Sequence, residues 1–372
     1  MRYKLSDICF YAKGKVDVSG LTDADYISTE NMMPNKGGVT IASSLPSTAQ
    51  TQAYRKDDVL VSNIRPYFKK IWFANCNGGC SNDVLVFRAK EDTDARFLYY
   101  VLADDAFFDY STATSKGTKM PRGDKTAIMQ YEVPHFDLPI QKKIAGILAD
   151  IDNKISLNNN INNNLADLLQ AVYQEQFGDI ESAENQGTLS DICMYSKEKV
   201  VISALNISNY FSTENMLVDK GGATIASSLP TVAQTTACHK GDTLISNIRP
   251  YFKKIVYCEA DCGCSADVLC FTPNRPQYSA YLFSSLYADS FFAFMVAGAK
   301  GTKMPRGDKQ QIMTYPVVLP SNEKLEMFNA IALPTLGQIH SNRAENKRLS
   351  AMRDTLLPKL MSGELDVSDI EL

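Results

Sequence analysis

The sequence predicts two tandem domains of mixed α/β (α+β) class, joined by two long helices that pair as an antiparallel coiled coil. The first observation is a repeat. LSDIC at 5–9 recurs at 189–193, SNIRPYFKKI at 62–71 recurs at 246–255, and KGTKMPRGDK at 116–125 recurs at 300–309, every pair 184 residues apart. A spacing that stays constant over three separated blocks means that the loops between them kept their lengths, so both copies share one fold. A period of 184 residues is also a whole domain with its connector, far longer than the roughly 20–50 residues of a solenoid repeat. The second observation is a set of short β-rich runs followed by a helix in each copy, and the third is a heptad-like pattern after each copy. The predicted boundaries are a first domain at 1–139, a central connector helix at 140–178, a second domain at 179–320, and a C-terminal connector helix with an acidic tail at 321–372.

Element by element, 58–62, 70–73 and 83–87 are short, rich in β-branched and aromatic residues, and bounded by Gly, Asn or Pro, which predicts strands. Asp94 is placed to cap a helix that presents Leu98, Val101 and Leu102 on one face. The second copy repeats this order through 242–271 and a helix near 281–286. In the central connector, Ile144, Ile151, Asn158, Leu165 and Val172 fall at heptad position a, with Ile147, Lys154, Ile161, Leu168 and Glu175 at d. At the C-terminus Phe328, Thr335, Asn342, Leu349 and Leu356 take a, with Ile331, Gln338, Glu345, Met352 and Lys359 at d. The helix pair is therefore expected to meet through Asn158, Ile161, Leu165, Leu168, Asn342, Leu349, Met352 and Leu356. This leaves Ile155, Leu169 and Tyr173 outside the stripe for another partner. The asparagine-rich stretch 158–164 is poor helix material, but Ile161, Leu165 and Leu168 keep the spacing through it. Pro334 is tolerated best in a first turn, so the long second helix is expected to begin there after a shorter segment.

Composition narrows the class. With 372 residues, 45% hydrophobic and 22% charged, each copy can bury its own core, and no stretch approaches the roughly 18 apolar residues of a membrane span. The N-terminus lacks the apolar core of a signal peptide, so the expected location is the cytoplasm, without membrane association. Nine cysteines in such a chain read as reduced thiols. Of Cys258, Cys262 and Cys264 only the last has a counterpart, Cys80, and their spacing is not that of a zinc ribbon, so no metal is expected. A net charge of −4 excludes coating of nucleic acid by bulk electrostatics, while leaving room for local basic patches. Acidic residues gather at 91–109 and in the tail at Glu364, Asp366, Asp369 and Glu371.

The sequence offers no recognisable enzyme motif. The chain has no GxGxxG or GxxxxGK[ST] phosphate cradle, no HExxH and no paired CxxC. Its three histidines are His135, His239 and His340, and the counterpart of His239 is Arg55. Asn63-Ile64-Arg65-Pro66-Tyr67 departs from the Asn/Asp-Pro-Pro-Tyr/Phe motif of amino-methyltransferases. No catalytic residue and no cofactor is assigned. What remains is two basic blocks, each present twice. The first presents Arg65, Tyr67, Lys69 and Lys70, suited to meeting phosphates with an aromatic beside them, and its copy presents Arg249, Tyr251, Lys253 and Lys254. The second sets Lys116, Lys119 and Arg122, with Lys300, Lys303 and Arg306 in its copy, around glycines that let backbone approach a partner closely. An arginine there can read a guanine edge with two hydrogen bonds.

These motifs together resemble the specificity subunit of Type I restriction–modification enzymes. The resemblance is carried by the Leu-x-Asp-Ile opening at 5–8 and 189–192, by Gly-Gly-x-Thr at 37–40 and 221–224, and by Arg-Pro-Tyr followed by lysines at 65–70 and 249–254. Leu138-Pro139-Ile140-Gln141-Lys142-Lys143-Ile144 is similar to the entry into that family's central helix. Leu319-Pro320 begins the equivalent, but 321–324 departs from it. The resemblance implies a non-catalytic subunit whose two recognition domains, inverted at opposite ends of an antiparallel helix pair, each read half of a split target in double-stranded DNA. It also implies two methyltransferase subunits as partners, with motor–nuclease subunits joining for cleavage. About 25 residues of helix span roughly 38 Å, close to one turn of DNA, so such a pair can act as a ruler. The same loops at 42–46 and 226–230 and the same basic blocks in both copies predict an interrupted palindrome as target. The competing readings are a structural adaptor with two protein-binding domains and a DNA methyltransferase without a recognisable cofactor motif.

Overall fold

The computed structural model describes residues 2–368 and 370, so Asp369 and Glu371 of the expected acidic tail lie outside the described residues. The chain divides into two compact units, Met1–Ser156 with Asn346–Leu372, and Leu157–Glu345. Both long helices pass from one unit to the other.

In the first unit the main sheet has the order Cys9–Tyr11, Val84–Ala89, Val59–Ser62, Ile71–Phe73, antiparallel throughout. Val59, Leu60 and Val61 are successive apolar residues because both faces of the strand are covered. Val59 and Val61 pack with Phe97, Leu98 and Phe107 on one side, and Leu60 packs with Tyr54, Ala74 and Val86 on the other. Each such side chain, buried completely, stabilises the fold by about 1.5–3 kcal/mol. A second sheet runs Lys15–Asp17, Gln50–Tyr54, Gly78–Cys80, Tyr26–Ile27, with only the last pairing parallel. Gly78 is required there, since a Cβ would lie 2.2 Å from the Asp25 carbonyl oxygen. The expected helix is Ala95–Ala103, with Asp94 accepting from the Phe97 amide at 2.9 Å and Leu98, Val101 and Leu102 buried.

The second unit repeats this plan in Cys193–Tyr195, Val268–Pro273, Thr243–Ser246 and Ile255–Tyr257, and its helix is Ser279–Tyr287. One core is filled differently. Tyr54, Ala74, Gly78 and Val86 have Cys238, Cys258, Cys262 and Cys270 as their counterparts, so thiols occupy volume that a phenol ring fills in the first unit. The Cys258 and Cys262 sulfurs lie 3.6 Å apart, and all nine cysteines are free. Among the described residues no three His, Cys, Asp or Glu side chains are arranged to hold a metal ion.

The long helices are Leu138–Phe177, 40 residues, and Asn322–Ser362, 41 residues. At 1.5 Å per residue each is about 60 Å long, well beyond the 25-residue ruler expected. Segments of the two run antiparallel within each unit. In the second, Asn158 donates to Glu345 at 2.7 Å and Asn342 donates to Asn162 at 2.9 Å, so the asparagine-rich stretch is helical, with Asn158 and Asn162 buried and paired, as is Asn342 on the other helix. In the first, Arg353 meets Asp152 at 2.9 Å.

Two expectations about these helices are corrected. Asn322–Ser362 is continuous through Pro334. Pro334 and Ala330, whose carbonyl the ring leaves without its helical donor, are both exposed, so water can take that bond, while Leu325, Phe328, Ala332 and Leu336 anchor the buried face. The seam is also rotated. Ile161, Leu168 and Met352 are 37%, 50% and 52% exposed, whereas Leu148, Asn162, Leu169 and Ile339 are buried. The a positions hold, with Asn158 and Asn342 buried and Leu165, Leu349 and Leu356 half-buried, but their partners lie four residues on rather than three. A 3.6-residue turn permits either flank, and packing chooses. Leu169 and Tyr173 are therefore buried, not free for a partner; the exposed apolar stripe on this helix is Leu157, Ile161 and Leu168.

Among the described residues no single helix is long and apolar enough to cross a membrane. The bent pair Pro276–Tyr287 and Asp289–Ala297 reaches that length only in combination, and its Leu282, Phe291 and Phe292 are core residues.

Candidate nucleic-acid interface

The two repeated blocks, far apart in sequence, meet in space. In the first unit the Arg65 amide donates to the Pro121 carbonyl at 2.8 Å, and the Gly123 amide donates to the Asn63 carbonyl at 3.1 Å. Lys116 and Arg122 exchange backbone hydrogen bonds of 2.8 and 2.9 Å, which closes KGTKMPR into a hairpin with Gly117 at φ +96°. The second unit repeats each contact from Arg249 to Pro305, Gly307 to Asn247 and Lys300 to Arg306.

Backbone strain marks the first block. Arg65 and Lys69 have φ of 51° and 52°, as Arg249 and Lys253 have 51° and 49°, on either side of the tight turns Pro66–Phe68 and Pro250–Phe252. Left-handed conformations of non-glycine residues cost about 1–2 kcal/mol each and cluster at functional sites. The turn pushes Tyr67 and Tyr251 outward, 47% and 49% exposed, and the hairpin does the same for Met120 and Met304. The Arg65 guanidinium stands 6.0 Å over the Phe68 ring. Its Nε, the Asn63 Oδ1 and their copies in Arg249 and Asn247 are buried without a partner among the described residues.

The cations of the two blocks have different roles. Lys119 and Lys303 are exposed, with no ion pair among the described residues. Lys116 is exposed but reaches Asp124 at 2.5 Å, and Lys300 pairs with Asp308 in the same way. Arg122 pairs with Asp83 at 3.1 Å, and Arg306 with Asp267 at 3.0 Å. Lys69 shares Asp105 with Lys36, and Lys253 shares Asp289 with Lys220. Lys70 is turned inward: its ammonium donates to the Thr29 carbonyl at 2.6 Å, as Lys254 does to Thr213. Burial pushes both ammonium groups below the usual lysine range, with Glu30 opposing it at Lys70.

Asp105 lies in the acidic cluster at 91–109, but the pairing of Asp83, Asp105 and Asp124 with these cations is a product of the fold. The Lys116 ammonium and the helix-capped amides hold Asp124 below the usual carboxylate range, and Lys300 does the same for Asp308. Partial burial pushes Asp105 up, but Lys36 and Lys69 outweigh it and hold the carboxyl low. The repeat itself was the available signal, since Asp83, Asp105 and Asp124 all recur 184 residues later. Asp83 also lines an open polar cleft of about 470 Å³ with Ser28, Asn31, Ser43 and Ser44. That cleft includes the loop at 42–46 shared by both copies.

Residues 1–167 match the family described as Type I restriction modification DNA specificity domain. Residues 1–167 thus carry a domain of the Type I DNA specificity kind. Beyond residue 167 the repeat continues the likeness, each matched block recurring in the second unit. The chain is 22% identical to the Type I restriction enzyme HindI specificity subunit of Haemophilus influenzae, over 98% of this chain and 99% of that one. It is 20% identical to the MjaIX specificity subunit of Methanocaldococcus jannaschii, over 95% and 88%. Its fold is similar to the crystal structure of the Type I restriction–modification S subunit from M. genitalium, with a TM-score of 0.62, 16% identity, and coverage of 99% and 96%. Two tandem α/β domains with long helices are thus the fold this chain shares with that S subunit, and its first unit matches a domain described by DNA specificity.

Proposed function

We propose that this specificity chain reads a split DNA target, one half through each copy of the paired basic blocks, and holds two methyltransferase subunits beside it. Motor–nuclease subunits complete the assembly in the cytoplasm, and the chain itself is non-catalytic. The observation that carries this reading is the convergence, in both units, of the strained Arg65/Arg249 turn and the KGTKMPR hairpin on one exposed basic, aromatic surface. Phosphates are met by the outward lysines, and bases by groups at the hairpin and the neighbouring cleft. Because both copies carry the same hairpin and the same loop at 42–46 and 226–230, they are expected to read equivalent bases on opposite strands. The target is then an interrupted palindrome, with Ser47-Thr48 against Thr231-Val232 as the place where one position can differ. The exposed stripe of Leu157, Ile161 and Leu168 is the surface assigned to a partner subunit.

Methylation mapping of DNA from a host carrying this chain with its methyltransferase tests the reading. A motif with two inverted, matching halves is expected; unrelated halves refute the palindrome. A purified chain that shifts no duplex DNA, with or without its partners, returns it to the adaptor reading.

A further inference from the structure

We propose that Asp83 and Asp267 are positioning residues that aim Arg122 and Arg306 end-on at a guanine in each half of the target. The inference rests on the DNA-reading function proposed above and adds to it a named base and the groups that select it.

Asp83 joins three segments. Its backbone carbonyl accepts from the Asn63 amide at 2.8 Å, which ties it to the strained turn. Its Oδ1 accepts from both Nε and Nη2 of Arg122 at 3.1 Å, which ties it to the hairpin. Its side chain also borders the cleft formed by the loop at 42–46. In the second unit Asp267 accepts from the Asn247 amide at 2.8 Å and from Arg306 Nη2 at 3.0 Å. An aspartate on the Nε/Nη2 side of a guanidinium leaves one N–H on each terminal nitrogen, at the far end, to donate in parallel. Arg122 and Arg306 are 52% and 53% exposed, so that free end faces solvent. Two parallel donors match the N7 and O6 acceptors of guanine; adenine offers N7 beside an amino donor and is rejected. A surface ion pair of this kind adds little to stability, so its recurrence in both copies is better explained by what it does to the arginine.

Charge separates this role from simple attraction to DNA. Removing two carboxylates makes the chain more positive, so affinity for arbitrary DNA holds or rises, while discrimination at the guanine falls. The experiment uses the full chain. Its target is selected from a random duplex library, and binding at fixed salt is then measured to the selected duplex and to the same duplex with 7-deazaguanine at single positions. For the wild type, guanine is expected at one matching position in each half, and loss of N7 there weakens binding roughly tenfold. In Asp83→Asn/Asp267→Asn that discrimination drops below roughly threefold, with binding to random duplex unchanged or tighter. Should that variant fail to fold, Arg122→Lys/Arg306→Lys gives the same readout, since an ammonium cannot donate two parallel bonds. Undiminished 7-deazaguanine discrimination in the variant, or selected targets without the paired guanines, overturns the assignment. Failure of the wild type to enrich any sequence refutes the DNA-reading function itself, which is a different result.

Discussion

Lys119 and Lys303 on one side, and Lys70 and Lys254 on the other, are lysines of the same two blocks whose removal has opposite expected effects. The first pair is exposed in the hairpins, and each is assigned one phosphate. Each phosphate contact contributes about 0.9 to the slope of log affinity against log salt, so Lys119→Ala/Lys303→Ala lowers that slope by roughly 1.8. Between 50 and 200 mM salt, a fourfold change, the wild type then loses roughly twelvefold more affinity than the variant. Lys70 and Lys254 instead donate inward to Thr29 and Thr213 at 2.6 Å. Lys70→Met/Lys254→Met leaves two carbonyls without their donors, expected to destabilise each unit by about 1–3 kcal/mol with no change in salt slope. Fluorescence anisotropy of a labelled duplex over that salt range, with urea unfolding of the same proteins, measures both. Equal slope changes in the two variants, or none for Lys119→Ala/Lys303→Ala, would refute the division of the lysines.

Three further outcomes are expected. Counterparts of Asp152 and Arg353 are Leu336 and Leu169, so Asp152→Leu/Arg353→Leu, with Tyr100→Phe to spare the hydroxyl that donates to Asp152, should stay within about 1.5 kcal/mol of wild type or be more stable. Arg353→Leu alone should cost about 2–3 kcal/mol in thermal or urea unfolding, the usual penalty of a broken buried pair reduced for partial exposure. Leu169→Asp should unfold or severely destabilise the second unit, whereas Leu168→Asp should leave circular dichroism and melting near wild type and weaken capture of the methyltransferase partner; equal melting of the two variants would contradict the rotated seam. Asp124 and Asp308 have lowered pKa values, so their hold on the hairpins is complete above the ordinary carboxylate value of 3.8 and is lost as pH falls through the lower folded value. Amide NMR shifts of the hairpin glycines should follow that window, and should no longer do so in Asp124→Asn/Asp308→Asn.

The sequence by itself determined the duplication, the class of each element and the two basic blocks, because these depend on local pattern and on a spacing that survives in one dimension. Strand Val59–Ser62 and helix Ala95–Ala103 were legible for that reason: a short β-branched run between turn residues and a capping aspartate act within a few residues. Tertiary structure alone decided which flank of each long helix is buried, since a positions with either i+3 or i+4 partners satisfy the same periodicity until a second helix covers one of them. It also decided that Pro334 lies mid-helix, where exposure of its orphaned carbonyl makes the break tolerable. The roles of the lysines were equally hidden, because Lys70 and Lys119 look alike in sequence, and only the folded chain brings a Thr29 carbonyl to one and leaves the other in water. Asp83 was invisible for the same reason: an aspartate between two strands gains its meaning from an arginine 39 positions away that the fold brings to its carboxylate.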